Sequence, residues 1–201
     1  MPAPFEIIAP PFTAWWAPAG TAFPALGTAP PIAWNIIGTS GDADYDPEGV
    51  TVAHSQEVNL VTPLGRTAPV KAFRSEEGLV ISLTVWDLTL EQYRLAANNR
   101  NFQTTAAGAG TPGFKTQQLY RGPVVNTMAL LVRSTASPYG DEMGMQYQVP
   151  YCFMSGGPEI QYRKAEPAGL AFEFTAMLDP TQGQPWDALA QLVQQHQPAL
   201  P

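Results

Sequence analysis

The chain has 201 residues, enough to bury a real core and usual for one domain. Only 13% of its residues are charged, well below the usual ~25%, so its surface has little to keep neighbouring copies apart. The formal net charge is −7, and among the ten Lys and Arg residues only Arg163 and Lys164 are adjacent. Without a basic stripe to replace counterions on phosphates, nucleic-acid binding is excluded as the main activity.

The first 33 residues differ from the rest. Eight of the 21 prolines lie before residue 32, interleaved with Phe5, Phe12, Trp15, Trp16 and Phe23. Proline at this density argues against helix and central strand. The aromatics still want burial, which predicts an extended N-terminal arm over residues 1–33, laid across its own domain or a neighbour, with Trp15 and Trp16 as anchors.

From Trp34 the pattern turns to β. Trp34–Ile37 is a short strand candidate, followed by turn residues from Gly38 to Gly49. Val50–Val61 then alternates, with Val52, His54, Gln56, Val58 and Leu60 on one face and Ala53, Ser55, Glu57 and Asn59 on the other. Leu79–Trp86 alternates more clearly, Leu79, Ile81, Leu83 and Val85 facing one way. Further strands are expected at Val124–Arg133, Met145–Met154, Ile160–Arg163 and Leu170–Leu178, with Pro150 placing a bulge or an edge in its strand.

One internal helix is expected from Leu88 to about Asn98. Thr89 and Gln92 fit a capping box, Leu88 and Tyr93 a hydrophobic staple, and Leu90, Tyr93 and Ala97 the buried side. A second, short C-terminal helix is expected over Pro185–His196, from the stripe Trp186, Leu189, Leu192 and Val193. The predicted fold is mainly β: an antiparallel sandwich or barrel with one flanking α-helix. It divides into an arm (1–33), a β-sandwich domain (34–180) and a C-terminal helix and tail (181–201).

Candidate chemistry is sparse. His54 and His196 lie in different elements, and no nucleophile elbow or phosphate loop is present. One cysteine, Cys152, and two histidines make a structural zinc site implausible, and Cys152 sits in an apolar run as a buried thiol would. Asp42, Asp44 and Asp46 recur at every second residue as in a calcium loop, but the sixth and twelfth positions hold Pro47 and Ala53 instead of Gly and Glu. A solvated hairpin tip, or one that docks on another subunit, is the simpler reading. No signal-like pattern opens the chain, and its apolar runs fall short of the ~20 residues of a membrane helix. Synthesis in a reducing cytoplasm is expected, with no enzyme activity and no cofactor.

The run Gly41-Asp42-Ala43-Asp44-Tyr45-Asp46-Pro47-Glu48-Gly49-Val50-Thr51-Val52, followed by His54–Val58, Pro69–Leu79 and Ile81–Tyr93, resembles the tail tube (major tail) proteins of long-tailed, non-contractile phages and related prophage elements. The likeness is best over residues 34–98 and weaker over 119–179, and it rests on order and spacing. It implies a β-sandwich with a flanking helix, assembled as hexameric rings that stack into a virion tail tube after assembly in the host cytoplasm. Adjacent subunits would extend one another's sheets. The loop carrying Asp42, Asp44, Tyr45, Asp46 and Glu48 would contact the next ring, and Glu57 and Asn59 would face either the lumen or ordinary solvent. The implied partners are further copies, the tail terminator, tape measure and distal tail proteins, and DNA in passing, with no membrane. A terminator or distal tail protein, or a type VI secretion tube protein, would share the fold. A carboxylate-based hydrolase or a calcium module would instead need paired acids in a deep pocket, or stabilisation by calcium lost with Asp44→Ala.

Overall fold

Leu79, Ile81, Leu83 and Val85 are all buried, while Val80, Ser82 and Thr84 between them are only half-covered. This period-2 pattern is what one strand covered on one face requires, and it places β4 (Lys71–Val85) at the centre of the architecture. The structure, a computed structural model, describes residues 11–134, 144–181 and 189–196.

The protein is mainly β and antiparallel. In chain order the elements are β1 (Thr13–Pro18), β2 (Asn35–Ile36), a short 3-10 helix (Gly41–Asp44), β3 (Tyr45–Val61), β4, α1 (Leu90–Ala96), β5 (Gln103–Thr105), β6 (Phe114–Thr116), β7 (Met128–Ser134), β8 (Met145–Met154), β9 (Leu170–Ala176) and β10 (Gln191–Gln194). The main sheet runs β2-β1-β7-β8-β9-β4-β3, with β10 also paired to β8, and β5 and β6 form a separate small hairpin. The sheet folds over on itself. Ala14 and Trp16 of β1, Leu130 and Val132 of β7, and Ile81 and Leu83 of β4 share one buried cluster with Phe172 and Phe174 of β9. Leu95 and Ala96 of α1 close the cluster on its flank.

The proline-rich segment is built into this sheet. β1 pairs with β7 from Thr13↔Arg133 to Pro18↔Met128, and Trp15 and Trp16 also meet the two residues of β2. Prolines flank β1 and occupy only its last position, so its ladder is intact. The chain then folds back, and Trp15, Phe23 and Trp34 cover Ala17, Ala129 and Leu131 on the far face. Arg133 fixes this cover by donating to the carbonyls of Pro24, Ala25 and Thr28, and Gln146, fully buried, donates to the Pro24 carbonyl. From residue 13 to 33 the expected arm is thus part of the fold. Residues 1–10 lie outside the described ones.

Three local expectations are corrected. Ile160–Arg163 forms no strand; it lies between Pro158 and Pro167, with Tyr162 exposed. Gln191–Gln194 is a strand and not part of a helix: it supplies the ladder partners of Met145–Gln148, which outweighs the helical spacing of Leu189, Leu192 and Val193. Leu189, Ala190, Gln195 and His196 are not helical either, and residues 185–188 of that expected helix, with Trp186, fall outside the described residues. At α1, Thr89 has the extended N-cap backbone, yet its hydroxyl makes no capping bond and is buried without a partner. Gln92 belongs to the buried face with Leu95 and Ala96, so the capping box does not form. Asn98 and Asn99 end the helix with φ of 60° and 53°. Asn98 also donates to the carbonyls of Arg121 and Val124, tying the following segment to α1. In β8, the register against β7 slips by one residue between Val149 and Cys152, the bulge that Pro150 requires.

Tyr45 joins the start of β3 to β1. It is 7% exposed. Its hydroxyl accepts from the Ala14 amide at 3.0 Å and donates to the Ile37 carbonyl at 2.8 Å. Removing it strands a buried donor and a buried acceptor, so Tyr45→Phe should cost about 1–3 kcal/mol, read as a lower urea midpoint at unchanged slope. Stability equal to the wild type would show that the joint carries no weight.

Candidate assembly surface

β4 has two neighbours for only part of its length. β9 pairs with it from Val80 to Val85, whereas β3 pairs with it from Lys71 upward. Below Val80 the two strands therefore continue as a bare ribbon, from Ala53 to Val61 and from Lys71 to Gly78, joined by a turn at 62–70. Every residue from Ala53 to Glu77 is exposed. Among them are Val58, Leu60 (62%), Val61, Leu64, Val70 and Phe73 (50%). A two-stranded ribbon with no layer over either face is marginal by itself in water, and exposed apolar residues on an open strand invite pairing.

The two ribbon faces differ. Val50↔Leu83, Val52↔Ile81 and His54↔Leu79 continue the core face, followed by Gln56↔Glu77 and Val58↔Arg74. Here His54 Nε2 lies 3.0 Å from Glu77, and Arg74 bonds both Gln56 and Glu77. The opposite face carries Thr51↔Ser82, Ser55↔Gly78, Glu57↔Glu76 and Asn59↔Phe73. Glu57 and Asn59 thus lie on the polar face expected from the alternation, both exposed. β9 adds Glu173 beside Ser82 and Thr175 beside Val80. Along this face of β3, β4 and β9 the charges are all carboxylates until Lys71, near the turn. Glu57 and Glu76 stand directly opposite each other, an unfavourable cross-strand pair.

The acidic stretch at the start of β3 is not one long loop. Gly41 opens the 3-10 helix at φ 66°, buried against β1: a Cβ there would meet Thr13 Cγ2 at 2.9 Å. Asp42 accepts from the Thr13 hydroxyl at 2.6 Å, Asp44 from the Ser40 amide, and Asp46 from the Glu48 amide. The three carboxylates serve three separate local contacts. Among the described residues no group of three acidic, His or Cys side chains could hold a metal ion. Tyr45, expected at an intersubunit contact, is a core residue. Burial pushes its phenol upward, against the Ala14 hydrogen bond, and Asp42 and Asp44 add to the rise. Trp15 and Trp16, expected to anchor an arm, pack on their own domain, Trp16 at 8% exposure.

A register bulge leaves Asp46–Gly49 unpaired against β4. Beside it lies an open groove of about 240 Å³ lined by Asp46, Glu48 and Glu173, with Gly49, Thr84 and Pro158. No lysine or arginine lines it. Sequence reading missed this groove because Glu173 is remote in the chain, and it missed the ribbon because the alternation over Val50–Val61 marks a strand without showing that β9 stops at Val80 and leaves it uncovered.

No protein-family model and no curated protein matches this chain. The geometry therefore has to carry the functional reading.

Cys152 is buried at the β7–β8–β9 junction, and burial pushes its thiol up to about 12 from an ordinary 9.0. Because the folded value is raised, its contribution to stability is whole below pH 9.0 and is lost as pH rises toward 12. A disulfide reagent at pH 8 should label Cys152 at the rate of unfolding, and at once in denaturant. Rapid labelling of the folded chain would refute the burial.

Proposed function

We propose that this protein is a non-enzymatic structural subunit that assembles with copies of itself into rings stacked as a tube, the role of a phage tail tube protein. The observation that carries the reading is the bare ribbon of β3 and β4, open at both edges and apolar on exposed positions. Strand edges that continue into a neighbour's sheet would pair its free amides and carbonyls, and closure into a ring would remove every edge. The low charge content of the chain suits a surface that copies cover.

The second face of the ribbon supports a conduit. Glu57, Glu76 and Glu173 stand among Thr51, Ser55, Ser82 and Thr175, so from β9 down to Glu76 a passing DNA strand would meet carboxylates and small hydroxyls, with Lys71 near the turn as the one cation of this face. On this reading Glu57 and Asn59 face the lumen, and DNA passes without being bound. Terminator, tape measure and distal tail proteins are the partners the role requires.

Negative-stain electron microscopy of the full chain over a range of concentrations tests this. Rings or uniform hollow tubes are expected. Leu60→Lys with Phe73→Lys should disperse them while leaving thermal stability within about 0.5 kcal/mol, because both positions are exposed in the single subunit. Single rings that never stack would favour a terminator or distal tail role. Compact monomers at every concentration, even with the tail-end proteins added, would defeat the reading.

A further inference from the structure

The longest strand of the protein separates two clusters of opposite charge. At the start of β3 lie Asp42, Asp44, Asp46 and Glu48, and no lysine or arginine occurs between Asn35 and Gly65. At its far end lie Arg66, Lys71 and Arg74, and no acidic residue occurs between Val58 and Ser75. Three of the chain's ten cations thus sit on the ribbon tip of an otherwise acidic protein. β3 spans 17 residues, so the clusters are held about 50 Å apart at ~3.3 Å per residue. Rigid pairing with β4 keeps them from meeting within one subunit.

Each end has a shape to match. The tip presents Leu64, fully exposed, beside Arg66, which has no carboxylate partner among the described residues. The Lys71 ammonium lies over the Phe73 ring, 4.7 Å from its centre, and both residues are exposed. The acidic end presents the open groove between the β3 bulge and β9, with Asp46, Glu48 and Glu173 on its walls.

We propose that the basic ribbon tip around Arg66 and Lys71 of one copy docks on the acidic groove at Asp46, Glu48 and Glu173 of another, so that copies stack head to tail along β3. The inference rests on the assembly reading above and assigns its stacking contact. Two different surfaces meet in such a contact, so it does not close on a pair and propagates as an open-ended polymer. Opposed charges set the polarity of addition, since tip-to-tip and groove-to-groove approaches place like charges together. An anionic membrane would also attract a basic, apolar tip. It would leave empty the complementary groove at Asp46, Glu48 and Glu173, which a second copy fills.

Charge reversal in the full chain tests the contact. At low salt, Arg66→Glu with Lys71→Glu should raise the concentration needed for sedimenting polymer by about tenfold or more and leave unstacked rings in micrographs. Asp46→Lys with Glu48→Lys should do the same, and an equimolar mixture of the two variants should polymerise again. Independently, Pro47→Cys with Thr67→Cys should give an oxidised ladder beyond the dimer on a non-reducing gel, the native Cys152 being buried. Polymerisation of either charge variant at the wild-type concentration, failure of the mixture, or a ladder that stops at the dimer would overturn the proposal. Co-sedimentation of wild type with phosphatidylserine vesicles in place of polymer, lost in the Arg66/Lys71 variant, would overturn it in favour of a membrane. A wild type that forms no rings at all defeats the assembly reading itself, which separates that failure from this one.

Discussion

The organisation of this protein depends on how far β4 is paired. Over Val80–Val85 it has β9 on one side and β3 on the other, and there its inward side chains are buried among Phe172, Phe174 and the β1–β7 layer. Below Val80 one neighbour is lost, the core ends, and the same two strands run on into solvent. A single strand thus serves as the middle of the fold at one end and as half of an exposed ribbon at the other. The hydrophobic effect that fixes its register in the core also fixes the register of the ribbon, because a one-residue slip would turn Leu79, Ile81, Leu83 and Val85 outward. The ribbon borrows its order from the domain.

That arrangement requires the rest of the domain to be self-sufficient, and the N-terminal segment makes it so. β1 fills the position beside β7, and Tyr45 holds it to the root of β3. The chain from Ala19 to Ala33 then covers the outer side of β1 and β7, held by Arg133. Burial lowers the Arg133 guanidinium from its usual range, and among the described residues it is matched by carbonyls and by Gln146. The aromatics expected to reach for a neighbour are consumed at home. Among the described residues the ribbon is the long strand pair left without cover, and it is made of strand and not of the Trp15–Trp16 segment.

Sequence patterns revealed the elements whose burial is one-sided and local. The alternation of Leu79–Val85, the strand Met145–Met154 with its bulge at Pro150, and the stop at Asn98–Asn99 are each set by residues within a few positions of one another. The misses have long-range causes. β1 was hidden by its flanking prolines, and its strand state depends on β7, more than a hundred residues away. β10 carries a helical spacing that is overridden by the open ladder of β8. Tyr45 sits among acids and turn residues, and only the approach of Ala14 and Ile37 makes it core. Of the candidate site, the polar face with Glu57 and Asn59 was legible from period 2. The groove was not, because it joins the β3 bulge to β9 across more than a hundred residues.

An exposed ribbon carries a cost that its composition contains. Leu60, Leu64 and Phe73 favour association of any kind, and an unguarded edge of this length would aggregate. Arg66, Lys71 and Arg74 near the turn, and Glu57, Glu76 and Glu77 near the body, interrupt the apolar positions with charges of one sign in each zone. Two ribbons laid face to face in register would stack like on like in both zones. An approach that displaces one copy lengthwise, bringing a tip to the acidic root, removes the repulsion while keeping the apolar gain. On the proposed assembly, segregated charge on a rigid strand would therefore both restrain indiscriminate pairing and favour one directed form of it, through the same residues.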